Sequence, residues 1–258
     1  MRIKILNGMV AAVGIGAVAM LGLAVPAGAQ DNQKQTKQQQ QAQKKHEQEQ
    51  QGRKAQAPAQ RLTPQDQQAR IGEQQQRMSQ YRDHLDKQQP AAQQHASALQ
   101  QQNRKAQYSV QQQYTARLRQ QQVQVRTQSS YNYGRDAGFS TAATYRYSHD
   151  GRNFETNQAG VDLLRLAVTY GYDQGSRAGI ADRQDRAASN YGDSFAYQDA
   201  NYGYTGFYVD RDDYNNYFRE GFRRGYEDGY NSRSQYGNGR GTILGAVLAT
   251  ILNFQSIR

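Results

Sequence analysis

The sequence predicts a mainly α-helical protein. The expected form is a small helical domain with two Gly-zipper helices, a C-terminal apolar helix and a short β-hairpin. A long low-complexity Gln-rich segment, disordered or weakly helical, precedes it. Three observations lead there. From Tyr214 to Tyr230 aromatics recur every four positions, at Tyr214, Phe218, Phe222, Tyr226 and Tyr230, beside glycines at Gly221, Gly225 and Gly229. Upstream, Gly171, Gly175 and Gly179 repeat the spacing, flanked by Val168, Tyr172, Ser176 and Ile180. Between Ser129 and Thr144 glutamine falls, and tyrosine and glycine rise.

Residues four apart share one face of a helix, so the aromatics form a ridge and the glycines a groove. Glycine inside a helix costs about 1 kcal/mol relative to alanine. Close approach by a second helix is the expected offset. Arg219, Glu220, Arg223, Arg224, Glu227 and Asp228 place mixed charge on the other faces, as a helix with one buried side requires.

Taken in order, residues 1–29 read as a secretory signal. Arg2 and Lys4 start it, an apolar run from Met9 to Val25 follows, and Ala27-Gly28-Ala29 forms an A-x-A site. Cleavage is expected between Ala29 and Gln30, with the mature protein periplasmic or secreted. Residues 30–128 are Gln-rich and basic, with 16 Lys and Arg against 7 Asp and Glu. They are expected to be too poor in large apolar residues for a core of their own. Within them a helix is expected over about 64–125, with Thr63 as its cap and Pro64 in its first turn. Ile71, Met78, Leu85, Ala92, Leu99 and Ala106 fall seven apart. The companion heptad positions include Gln74, Tyr81 and Gln88, which makes a weak coiled-coil pattern that Pro90 is expected to interrupt.

Residues 129–258 carry 14 Arg, no Lys and 15 Asp and Glu, so the overall charge of +10 belongs to the first part of the chain. Alternation around Asp150-Gly151, from Thr144 to Thr156, predicts a hairpin. Asn157 is expected to cap a helix running to about Ala188. The tyrosine-rich connection from Ser189 to Val209 is expected to pack across the helix pair. Asp210 or Asp212 is expected to cap the second zipper helix. Gly241, Gly245 and Ala249, flanked by Leu244, Leu248 and Leu252, form a weaker third ladder in a helix expected over Thr242–Ile257.

Without cysteine the chain has no disulfide framework, thiolate metal site or cysteine nucleophile. No H-E-x-x-H, G-x-S-x-G or phosphate-loop motif occurs. His46, His84 and His95 lie in the Gln-rich part, and His149 beside the hairpin turn is expected to be exposed. Asp210, Asp212 and Asp213 lack the glycine and closing glutamate of a calcium loop. Asp162, Asp173, Asp182 and Asp185 read as a solvated helical face. No catalytic residue, cofactor site or metal site is expected.

The stretches YSHDGRNFETNQAGVDLL, YGYDQGSRAGIADRQDR and YVDRDDYNNYFREGFRRGYEDGY carry a resemblance. From about 145 to 258 the chain resembles uncharacterised secreted bacterial proteins with paired glycine–aromatic helical repeats (GYxxGxxxG and YFxxGFxxGYxDGY). The resemblance implies export and the domain limits, and supplies no catalytic residue. Ser176 stands where an aromatic is expected.

The expected function is that of an exported, non-enzymatic structural or protein-interaction module of the cell envelope. The helical domain would engage a protein partner or associate with itself. Residues 30–128 would act as a basic tether to an anionic envelope surface. The alternative is a membrane-associated assembly factor using the zipper or C-terminal apolar helices. An enzyme built on Asp, Arg and Tyr of Ser189–Val209 is a third reading. Nucleic acid is not an expected partner, because basic residues and tyrosines fall mostly in different halves.

Overall fold

The computed structural model describes residues 60–127, 131–231 and 240–257. The signal segment, its Ala29–Gln30 cleavage point and residues 30–59 lie outside the described residues. The chain divides into Met1–Ala57 and Pro58–Arg258; only the second unit is described below.

The glutamine-rich part forms two long helices, α1 (Pro64–Gln101) and α2 (Lys105–Thr127). The Thr63 hydroxyl accepts from the Asp66 amide at 3.2 Å, with Pro64 in the first turn, as the sequence pattern requires. Pro90 does not end the helix, which runs through it. The break falls instead at residues 102–104, where Asn103 takes φ of 59°, a left-handed value that asparagine tolerates. Met78, Tyr81, Leu85, Ala92 and Leu99 are buried, and so is Gln74. The heptad seam therefore packs into its own chain, and these helices belong to one unit with the Gly/Tyr-rich part. The helix expected over about 64–125 is present, broken once, and it packs within one unit that begins at Pro58 rather than at 129. Tyr81, Tyr114, Leu118 and Val125 supply enough burial beside the aromatics downstream to order a segment that would have no core alone.

Ahead of α1, the Leu62 amide donates to the Ser140 carbonyl at 2.9 Å and the Ala142 amide to Gln60 at 2.8 Å. The short helix α3 (Ala137–Ser140) is thereby tied to the start of the glutamine-rich part. The hairpin follows as β1 (Tyr145–His149) and β2 (Arg152–Thr156). Asp150 and Gly151 take φ of 49° and 71°. Positive φ at both turn residues suits a two-residue hairpin.

Helix α4 (Gln158–Gln184) starts at Asn157, whose side chain accepts from the amides of Ala159 and Gly160. It ends four residues before the expected Ala188. The connection contains a 3₁₀ turn (Tyr191–Asp193) and α5 (Phe195–Asp199). Helix α6 (Arg211–Tyr230) begins after Asp210, which makes no capping bond and instead pairs with Arg77 at 2.9 Å. Helix α7 (Arg240–Ile251) is shorter than expected. Its continuation becomes β3 (Gln255–Ser256), which pairs antiparallel with β1, so the sheet order is β2-β1-β3. Among the described side chains of α7, Val247 is buried. Gly245 of the third small-residue ladder takes no part in the zipper, since a Cβ there would meet nothing within 4 Å. Among the described residues no helix is long and apolar enough to cross a membrane.

Candidate functional site

The residues that the sequence singles out meet in one interface. Gly171, Gly175 and Gly179 of α4 face the carbonyl oxygens of Phe218, Phe222 and Tyr226 on α6. Reciprocally, Gly221, Gly225 and Gly229 face those of Val168, Tyr172 and Ser176. A Cβ at any of the six would overlap the opposing backbone. Both sets ascend together, so α4 and α6 are parallel. A parallel pair needs a connection that runs back along its whole length, which accounts for the long stretch from 185 to 210.

In each of the six contacts the glycine Cα hydrogen in the Cβ direction points at a carbonyl. Such Cα–H···O contacts contribute about 0.5–1 kcal/mol each. Six of them return about 3–6 kcal/mol, against about 6 kcal/mol of lost helix propensity for six glycines. Beside the glycines of α6, Tyr214, Phe218, Phe222, Tyr226 and Tyr230 stack in sequence, with centroids 6.0–6.5 Å apart. Tyr172 also serves the interface through its hydroxyl, which donates to Asp228 at 3.0 Å.

The connection is held by glutamines. Buried Gln121 of α2 donates to the carbonyls of Asn201 (2.9 Å) and Tyr204 (2.7 Å), and its Oε1 accepts from the Gly203 amide at 2.9 Å. Gln74 of α1 donates to the Gly206 carbonyl. Glutamines that composition alone assigns to a spacer thus satisfy the backbone of a buried loop.

Every buried aspartate has partners. Asp182 accepts from the Tyr226 hydroxyl at 2.6 Å and from Arg104 at 2.6 Å. Asp185 accepts from the first-turn amides of Ala106 and Gln107 at 2.9 Å each, and so caps α2 from another helix. These two carboxylates are not a solvated face; only Asp162 and Asp173 of that set are exposed, beside Arg165 and Arg177. Asp199 accepts from Tyr114 at 2.5 Å and lies 3.4 Å from His84. Burial raises the Asp182 carboxyl above its ordinary value, outweighing Tyr226 and Arg104. Burial likewise pushes the Tyr114 phenol well up, helped by the Asp199 charge.

His149 is not exposed. Its side chain is 7% accessible, its ring lies flat on Phe154 with centroids 4.7 Å apart, and its Nε2 contacts Asp213. The second Asp213 oxygen accepts from Tyr147 at 2.6 Å. Alternation placed His149 beside a turn, but the sequence carried no signal for the helix terminus that closes over it. Among the described residues no group of His, Asp and Glu is arranged to hold a metal ion. The other ring nitrogen of His149 faces exposed Asp150 at 3.4 Å.

No family model, curated protein or solved structure matches the chain.

Proposed function

We propose that the chain is an exported, non-enzymatic structural and protein-interaction module of the cell envelope. The observation that carries this reading is how the chain's special residues are used. Glycines seat a helix pair backbone to backbone, glutamines hold its connection, and buried carboxylates bind tyrosine hydroxyls or cap a helix. Groups committed in this way support a rigid display surface.

The tether is narrower than composition implied. Arg70, Arg77, Arg82 and Arg104 of the glutamine-rich helices bond within the fold. Residues 30–57 keep 6 Lys and Arg against 3 Asp and Glu for electrostatic attachment, with Lys87, Lys105, Arg117 and Arg119 of the helices as further basic residues. The membrane-associated alternative rests on α7, whose Gly245, Ala246 and Ala249 are exposed.

Co-sedimentation tests both readings, using Gln30–Arg258 and Pro58–Arg258 with cell-wall sacculi and with anionic vesicles. The longer chain is expected to pellet with sacculi at low salt and to be released as salt screens the contact. Loss of that difference between the two chains removes the tether. Salt-resistant binding of both chains to vesicles alone favours α7 and the membrane reading.

A further inference from the structure

A cleft of about 350 Å³ lies between α2, α4 and the connection. Its distinguishing walls are Arg117, Gln120 and Gln124 of α2, Leu166 and Tyr170 of α4, and Tyr202 of the connection. Two other surface clefts hold polar groups already committed to the fold. One contains Arg77 and Asp210, bonded to each other. The other contains Arg104 and Asp182, likewise bonded.

The cleft beside Arg117 differs. Among the described residues the guanidinium of Arg117, the side-chain amides of Gln120 and Gln124 and the hydroxyls of Tyr170 and Tyr202 make no hydrogen bond or ion pair. Leu166 is 44% exposed, one of the few large apolar side chains the fold leaves open.

The geometry is also preset. The Arg117 guanidinium lies over the Tyr202 ring, 5.4 Å from its centroid, which fixes the charge at the mouth without neutralising it. Tyr170 and Tyr202 contact each other with centroids 5.0 Å apart. Gly203 has φ of 86°, and a Cβ there would overlap the Tyr170 ring. The connection can therefore lie flat against the ring only with glycine at this position. Gln121 fixes that same stretch of backbone from α2.

We infer that this cleft binds a saccharide bearing a carboxylate. Tyrosine rings and Leu166 suit the apolar faces of a sugar ring. Two planar amides and two phenols offer both donors and acceptors to its hydroxyls. Among the described residues Arg117 is the charged residue lining the cleft, and its donor fork favours a carboxylate. A mostly preformed pocket with a few convergent polar groups is the usual form of a small-ligand site. The inference concerns the purified chain and stands whether or not the envelope reading holds.

Saturation-transfer NMR on Pro58–Arg258 tests it with four probes: a hexuronate disaccharide, its neutral hexose counterpart, acetate and triglycine. The hexuronate disaccharide is expected to bind about tenfold tighter than the neutral one, the worth of one charge-assisted bond near 1.4 kcal/mol. Arg117→Gln is expected to remove that tenfold preference and leave neutral-sugar binding in place. Gln124→Ala, at an exposed position with no partner to lose, is expected to weaken both sugars at an unchanged melting temperature. No transfer to either sugar overturns the inference. So does equal affinity for acetate alone, which would make Arg117 a plain anion site. Triglycine binding as tightly as the uronate overturns it as well, and makes the cleft a receptor for peptide termini.

Discussion

A methyl group at Gly225 would occupy the space of the Tyr172 carbonyl, and neither backbone has a side chain to move aside. Gly225→Ala is therefore expected to lower stability by about 2–3 kcal/mol despite alanine's better helix propensity. Gly72, on the exposed face of α1, is the matched control, since a Cβ there meets nothing within 4 Å. Gly72→Ala is expected to raise stability by about 1 kcal/mol. Denaturant unfolding of both variants measures the pair, and a Gly225→Ala protein as stable as the parent would remove the zipper. At this scale the sequence was informative where residue type is nearly unique to a role. A four-residue spacing of glycines has few explanations, and all six take part. Histidine and aspartate were less legible. Whether Asp182 is solvated depends on Arg104, far away in sequence, and whether His149 is buried depends on a first-turn residue of another helix.

At the level of elements, helix existence and two caps are legible: Thr63 begins α1 and Asn157 begins α4, whereas Asp210 makes no capping bond to α6. Ends are not. The apolar run of α7 looks helical to its last residue, yet β1 offers an open edge, and Gln255–Ser256 joins it as a strand. The largest misreading concerned glutamine. A segment with few apolar residues is ordered here by packing that comes from outside it, and Gln74 and Gln121 serve the connection rather than solvent. Gln121 carries most of that duty. Gln121→Ala would leave the Gly203 amide and the Tyr204 carbonyl without their side-chain partner, while the Asn201 carbonyl keeps the Tyr81 hydroxyl and the Tyr204 amide. The expected loss is about 2–4 kcal/mol, since buried groups left unpaired carry their full desolvation penalty. Hydrogen exchange should localise the opening to residues 201–206. Uniform exchange across the chain would contradict the clamp.

At the scale of the whole molecule, seven buried tyrosines among the described residues share the core with leucine and valine, and they set its response to alkali. Burial pushes Tyr217 up to about 12, with the charge of Asp213 adding to it. Burial raises Tyr81, Tyr114 and Tyr214 well above the ordinary phenol value. All four folded values exceed the unfolded one, so the folded chain keeps protons that the unfolded chain releases. Their contribution is complete below the ordinary value near pH 10 and is lost as pH rises. Each tyrosine that stays protonated adds a slope of about 1.4 kcal/mol per pH unit. For Tyr81, Tyr114 and Tyr214 together that is about 4 kcal/mol per unit, against a usual total of about 5–15 kcal/mol. The helical signal and tyrosinate absorbance are expected to change in one cooperative step above pH 10. Buried phenols titrating while the helices persist would show that the core is not closed.

The zipper also bears on how the chain finds its shape. Its rungs are nearly identical: along the interface every fourth residue on each helix is glycine, and each rests on a carbonyl three positions before an opposing glycine. A slip of one rung keeps two of three contacts on each side, so the interface discriminates poorly between neighbouring alignments. The information that picks one is held outside it, in the length of the connection and in Gln74 and Gln121, which grip Gly206, Asn201 and Tyr204 at fixed heights. The segment that looks dispensable by composition acts as the gauge that sets the alignment.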